Sequence, residues 1–231
     1  GALQNINTPD KKIITIEDPV EYQIRGINQI HVKPKIGLDF ASGLRSIVRQ
    51  DPDVIMVGEI RDAQTADVAI QAALTGHLVF STVHTNDAAG AITRLLDMGV
   101  ENYLISSAVL GVLAQRLVRV ICKKCIEPTK VSKTLIAEMG TYDQEEMKTF
   151  HGKGCKECSH TGFRGRAGIY ELLVVDDAIR QLILDKSTAQ IIRETARNKG
   201  MTTLREDGWK KVADGITTVE EVLRVTLNEQ T

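Results

Sequence analysis

The stretch Asp53-Val54-Ile55-Met56-Val57-Gly58-Glu59-Ile60-Arg61-Asp62 decides the fold. Its aliphatic and β-branched residues run consecutively instead of alternating with polar ones, the pattern of a parallel-sheet strand buried on both faces. The run closes with a glycine, an acid and a basic–acidic pair, so polar groups are released at the strand's carboxyl end. In open α/β sheets ligands bind at that edge. Glu59 is therefore an acid delivered to a candidate active edge. The competing reading is a core strand whose exit loop carries charge.

Upstream, Gly1 to Asn7 reads as the tail of a helix ended by Pro9-Asp10. Lys12 to Ile16 is a short β-branched strand that leads into Glu17-Asp18-Pro19-Val20-Glu21. Three carboxylates in five residues can orient a metal ion or activate a water. The same residues also fit a polar turn begun by Asp18-Pro19. Gln29 to Val32 reads as another short strand. Asp39 is the expected cap of a helix with Phe40, Leu44, Ile47 and Val48 at helical spacing. On its polar side Arg45 and Arg49 form either a solvated basic face or a pair of anion ligands.

Downstream, an alanine-faced helix over Thr65–Leu74 stops at Thr75-Gly76. His77 to His84 is expected to be a third buried strand, releasing Thr85-Asn86-Asp87. Asn86 or Asp87 is expected to cap the helix that follows, through Ile92, Leu95 and Leu96 to Gly99. Repeated strand–helix units predict a parallel sheet with helices packed on it. A lone histidine is more often structural than catalytic, but His84 leaves its strand at the same edge as Glu17 and Glu59. Acids and an imidazole converging from three separate turns make a candidate catalytic set.

From Glu101 to about Arg119, Leu104, Ala108, Leu110 or Gly111, and Leu117 suggest one long helix. Cys122-x2-Cys125 and Cys155-x2-Cys158, separated by 29 residues, form the four-thiolate pattern of a structural zinc site. Lys123, Lys124 and Lys156 beside the thiolates offset their charge. His151 and His160 are further possible ligands, but four cysteines already complete the shell. Within the intervening segment Ser132 to Met139 and Glu145 to Phe150 read as helical. Ala167 to Val175 reads as a strand with Glu171 exposed, and the remainder as helices capped at Ser187, Thr203 and Thr217.

With 231 residues, 42% hydrophobic, 26% charged and a net charge of -1, the composition is that of a globular chain with one sizeable core and an appendage. Near-zero charge and 4% aromatic residues argue against nucleic-acid binding. No signal-peptide pattern opens the chain. The apolar stretch from Ile105 to Ile121 is interrupted by Gln115, Arg116 and Arg119, so membrane insertion is not expected. Paired cysteines of this kind point to metal in a reducing compartment, hence the cytoplasm.

Together these motifs resemble the C-terminal motor domain of the type II secretion and type IV pilus assembly ATPases, members of the secretion-ATPase superfamily. Ile16-Glu17-Asp18-Pro19-Val20-Glu21 is similar to that family's Asp box. Asp53 to Asp62 is similar to its Walker B segment, with Gly58 where an Asp is usual. Thr75-Gly76-His77 through His84-Thr85-Asn86 resembles the His box. The tetracysteine element and the ending around Gly200–Gly208 and Gly215–Val222 resemble the assembly and secretion members.

The resemblance implies a RecA-like, mostly parallel sheet with flanking helices, a tetracysteine zinc element and a small helical C-terminal layer. It implies ATP and magnesium as cofactors, with Glu59 polarising the attacking water or holding magnesium through water. Glu17 would be a second carboxylate, and His84 would contact the γ-phosphate. Asp18, Glu21, Arg45, Arg49, His77, Arg94 and Arg116 are implied nucleotide or inter-subunit contacts. The implied partners are five further copies in a hexameric ring and an inner-membrane platform protein, at the cytoplasmic face of a bacterial inner membrane.

Expected domains are a core over residues 1–120, the zinc element over 121–163 and a helical part over 164–231. No Gly-x4-Gly-Lys-Ser/Thr occurs in these residues, so the 231-residue chain alone is expected to bind ATP weakly or not at all and not to hydrolyse it measurably. Two alternatives stand beside this: a zinc-ribbon interaction module, and a conjugation or type IV secretion ATPase of the same superfamily.

Overall fold

Four short runs rich in branched aliphatic residues build one sheet. They are β1 (Ile13–Glu17), β2 (Asn28–His31), β3 (Val54–Val57) and β4 (Leu78–Ser81), all parallel, in the order β2-β1-β3-β4. The computed structural model describes residues 2–130 and 149–226. Helices α1 (Ala2–Ile6), α2 (Phe40–Val48), α3 (Ala63–Leu74), α4 (Ala88–Asp97) and α5 (Asn102–Ala108) alternate with or follow these strands. Ile16, Leu44, Ile55, Ile92 and Ile105 are fully buried, each such side chain contributing about 1.5–3 kcal/mol relative to exposure.

Asp39 caps α2 as expected. Its carboxylate accepts the Ser42 amide at 2.8 Å, and the Ser42 hydroxyl accepts the Asp39 amide at 3.1 Å. Two expectations change. Strand β4 is only half-buried, with Leu78 exposed, because it lies at the end of the strand order and among the described residues pairs with β3 alone. The helix expected from Glu101 to about Arg119 stops at Ala108, and Gly111–Ile121 is instead a long strand, β5. Its exposure alternates along the chain, and it pairs antiparallel with β8 (Phe163–Val174). Period-two packing against that partner outweighs the weaker helical spacing of Leu104, Ala108 and Leu117.

The chain forms two compact units. The described residues of Gly1–Thr85, Ala89–Leu110 and Val175–Ile192 make the first; those of Asn86–Ala88, Gly111–Val174 and Arg193–Thr231 make the second. These divisions do not coincide with boundaries at 120 and 163. The first unit also holds α6 (Asp177–Leu184), tied to α5 where the Asn102 amide donates to the Leu184 carbonyl at 2.5 Å. Helix α7 (Ala189–Asn198) spans the division.

In the second unit the hairpin of β6 (Ile126–Thr129) and β7 (Thr149–Gly152) accompanies the β5–β8 ribbon. Helices α8 (Leu204–Ala213) and α9 (Val219–Thr226) follow. Val118, Ile169 and Leu204 form one buried cluster there, and Trp209, Val212, Val219, Val222 and Leu223 another. Gly208 lets α8 and α9 touch, since a Cβ at that position would fall 2.5 Å from a Val222 methyl.

Thr203 and Glu206 form the expected reciprocal cap. The other two caps sit one residue later than expected. Thr188, not Ser187, accepts the Ile191 amide, and Thr218, not Thr217, accepts the Glu221 amide. Thr217 instead donates its hydroxyl to the Arg119 carbonyl at 2.8 Å. Glu171, expected to be exposed, is 1% exposed, because it lies on the face of β8 shared with Ile169 and Leu173. The helices expected within 132–150 lie outside the described residues, except for Thr149 and Phe150, which are in β7.

Candidate active site and candidate metal centre

Strands β1, β3 and β4 are neighbours whose carboxyl ends are in register: Ile16, next to last in β1, pairs with Val57, and Val57 with Ser81. Their exits carry Glu17, Glu59 and His84 to one edge of the sheet. Three cross-links tighten the exits. The Gly58 amide donates to the Ile16 carbonyl at 2.8 Å, the Thr82 hydroxyl to the Gly58 carbonyl at 2.7 Å, and the Ile60 amide to the Thr82 carbonyl at 2.9 Å. A Cβ at Gly58 would lie 3.2 Å from the Ile16 oxygen and 3.3 Å from the Glu17 Cα. The glycine thus allows the two acid-bearing exits to approach.

Glu59 is the buried member, its side chain 11% exposed. One carboxylate oxygen meets His84 Nε2 at 3.0 Å and the other pairs with the Arg61 guanidinium. Burial pushes this carboxyl up, but the hydrogen bonds and charges of Arg61 and His84 outweigh burial and hold it below the usual range. Glu59 is therefore an ionised, oriented acceptor at neutral pH. The His84 side chain is 82% exposed, anchored at one nitrogen and open to whatever occupies the edge. Glu17 is held at one oxygen by the Thr15 hydroxyl (2.5 Å) and the Gln29 amide (2.9 Å). Gln29 in turn takes the Ile24 amide at 2.7 Å, which fixes the loop between β1 and β2.

The remaining sequence candidates divide. Asp18 and Glu21 are exposed in the loop after β1, while Arg45 on α2, Arg49 at the C-cap of α2 and Arg94 on α4 are also exposed. Arg116 belongs to the second unit and donates to the Asn86 main-chain and side-chain oxygens at 3.3 and 3.1 Å. His77 precedes β4, at the opposite end of that strand from His84. Its Nδ1 contacts the Ala72 carbonyl at 2.9 Å and the Thr75 hydroxyl at 3.2 Å, closing the end of α3. The structure thus gives His77 a capping role away from the acid edge. Arg61, Thr15 and Gln29 were absent from the sequence-derived set. Only Arg61 carried a signal, as a cation two residues after Glu59.

The four cysteines form the second site. No disulfide joins them, and their sulfur atoms all lie within 4.8 Å of one another. The Cys122–Cys155 and Cys125–Cys158 separations are 3.9 Å, and Cys155–Cys158 is 3.8 Å. A zinc tetrahedron with bonds of about 2.3 Å has edges of about 3.8 Å, so the donors are spaced for one ion. Main-chain amides of Gly154, Cys155 and Gly162 point at the sulfurs of Cys125, Cys158 and Cys158 at 3.2–3.3 Å. The Cys155 amide leads in lowering the Cys158 thiol to about 6, while burial pushes Cys125 up to about 12. His151 and His160 stand outside this four-sulfur group.

Residues 1–224 match the family model described as "Type II/IV secretion system protein", and the chain belongs to that family. Over 230 residues it is 54% identical to the type II secretion system protein E of Pseudomonas aeruginosa, covering 99% of this chain and 45% of that protein. It is 56% identical over 229 residues to the type IV pilus assembly ATPase PilB of Thermus thermophilus, covering 98% of this chain and 26% of that protein. Among solved structures, the pilus retraction motor PilT with bound ADP superposes with a TM-score of 0.69 at 29% identity, covering 96% of this chain and 55% of that one. The chain therefore spans less than half the length of these curated relatives.

Proposed function

We propose that the intact protein is a motor ATPase that powers type IV pilus assembly or type II protein secretion. The observation that carries this reading is the Glu59–His84 contact at the in-register exits of β3 and β4, beside Glu17 on β1. In phosphoryl transfer most of the catalysis is positioning and charge stabilisation. Glu59, ionised and fixed by Arg61, orients the attacking water and accepts its proton, or holds magnesium through water. Glu17 supplies a second carboxylate toward the metal, and the open face of His84 contacts the γ-phosphate. Bound magnesium would neutralise charge developing on the phosphates.

Six copies form a ring, with Arg45, Arg49, Arg94 and Arg116 as candidate phosphate or inter-subunit contacts. Asp18 and Glu21 extend the acidic loop toward the metal. The ring works at the cytoplasmic face of the inner membrane against a platform protein. No helix among the described residues is long and apolar enough to cross a membrane. The cysteine centre holds a structural zinc, since four thiolates leave no open position for chemistry.

The test is ATP turnover by the purified intact protein. Glu59→Gln is expected to lower kcat at least about a hundredfold with KM little changed. Wild-type turnover in that variant refutes the reading.

A further inference from the structure

The four sulfurs of the cysteine cluster are chemically alike but sit in different surroundings, all within the second unit. Burial divides them first. Cys122 is 1% exposed and Cys158 6%, whereas Cys125 and Cys155 are partly open to solvent. Main-chain amides divide them again. Cys158 accepts two, from Cys155 at 3.2 Å and Gly162 at 3.3 Å, and Cys125 accepts one, from Gly154 at 3.3 Å. Among the described residues no amide donates to the sulfur of Cys122 or of Cys155, whose neighbours are the other sulfurs.

The amides are aimed by left-handed glycines. Gly154 has φ 93° and Gly162 φ 77°, and a Cβ would lie 2.7 Å from the His160 oxygen at the first and 2.4 Å from the Gly152 oxygen at the second. A hydrogen bond donated to a thiolate stabilises its charge and occupies the electron density with which it attacks. Cys158 is therefore shielded by burial and by amides, Cys125 by an amide, and Cys122 by burial. Cys155 has neither shield.

We propose that Cys155 is a modification site, the sulfur through which this centre reacts with electrophiles, with hydroperoxides as the chemical class. The idea rests on the zinc reading above only for its consequence, loss of the ion. The Cys155 thiolate attacks one peroxide oxygen. An S–O bond forms, the O–O bond breaks, and the hydroxide that leaves takes a proton from water, so sulfur is oxidised to the sulfenic acid as the peroxide is reduced. The Cys122 thiolate, 3.9 Å away, then attacks the Cys155 sulfur and displaces hydroxide to give a disulfide. Two of the four thiolate ligands are consumed, and zinc left with the other pair is released.

The test uses the purified intact protein, with its zinc content read first by elemental analysis. Limiting iodoacetamide, which alkylates a thiolate with loss of iodide, is followed by denaturation, full labelling with the heavy reagent and peptide mass spectrometry. Cys155 is expected to react at least about fivefold faster than any of the other three, with zinc release to a chromogenic chelator rising in step. Hydrogen peroxide in place of iodoacetamide should give Cys122–Cys155 as the first disulfide. Equal labelling of the four, or a first adduct or first disulfide that leaves Cys155 out, overturns the inference.

Cys155→His retains four donors in a set that structural zinc sites also use. It is expected to slow peroxide-driven zinc release at least about fivefold, and Cys125→His to leave the rate unchanged. Equal slowing in the two variants overturns the assignment to Cys155, and if Cys155→His does not fold, the labelling order of the wild type decides alone. A protein that holds no zinc yet is labelled first at Cys155 keeps the reactive site and sinks the zinc reading. A zinc-loaded protein labelled equally at all four does the reverse.

Discussion

In the candidate metal centre four identical side chains come from two short turns, Cys122–Cys125 and Cys155–Cys158, and each turn brings its own pair of sulfurs together. At the sheet edge three different side chains, Glu17, Glu59 and His84, come from the exits of three strands separated by dozens of residues in the chain. The cysteine cluster is built locally, and under the zinc reading its order would rest on the ion. The edge has an ion pair and hydrogen bonds of its own, and its three side chains are carried there by the strands of the sheet. Removing a ligand should therefore unfold the first site, whereas removing a side chain should silence the second without unfolding it.

The largest effect is expected at the centre. Structural zinc in small tetrathiolate sites contributes about 10 kcal/mol or more of apparent folding energy. Cys122→Ser, or chelation of the wild type, should abolish the expected one zinc per chain and expose the β6–β7 hairpin. Elemental analysis together with hydrogen exchange at the β6 and β7 amides checks this. A metal-free preparation with that hairpin still protected would contradict it.

Next comes a pH effect that belongs to the second unit's own ion pairs. Burial pushes the Glu221 carboxyl up, but hydrogen bonds from Arg224 and Arg119 outweigh it and bring it down to about 2, from an ordinary 4.5. Because the folded value is the lower one, the interaction stabilises the fold above about pH 4.5 and its contribution is lost as pH falls toward 2. Both guanidiniums are about half exposed, so the contribution is about 2 kcal/mol, less than the full shift implies. Urea unfolding of wild type and Glu221→Gln between pH 7 and pH 3 should converge as the pH drops.

The smallest effects separate the two histidines that flank β4. His77→Ala should cost less than about 1 kcal/mol of stability and leave turnover of the intact protein unchanged. His84→Ala should do the reverse, leaving the unfolding midpoint in place while kcat falls about tenfold or more. Equal behaviour of the two variants would erase the distinction between a helix stop and a reacting-edge imidazole.

Much of this contrast was legible in the sequence, for different reasons at the two sites. The cysteine spacing reports directly on the centre because both chelating turns are local. At the edge, the apolar runs ending in Glu17 and Glu59 and the helical spacing capped by Asp39 were readable, because each element's own pattern matches its burial. Residues 109–121 were not. Their apolar positions satisfy a loose helical spacing as well as an alternation, and pairing with β8 decides between them. Glu171 was misread for the same reason, since which face of β8 is covered depends on helices more than 30 residues away. Thr15 and Gln29, which hold Glu17 in place, carry no signal of their own, and Arg61 only its nearness to Glu59.

By itself the sequence determined the parallel strand–helix architecture and the grouping of the four cysteines, and it singled out two acids and an imidazole as candidates, because hydrophobic periodicity and turn-borne side chains are local properties. Only the tertiary structure decided that Val57 stands in register with Ile16 and Ser81, that His77 faces away from the acids while His84 meets Glu59, and that Glu171 is buried between two helix starts. Those depend on strand register and on which surfaces come into contact, and no single segment of the chain encodes either.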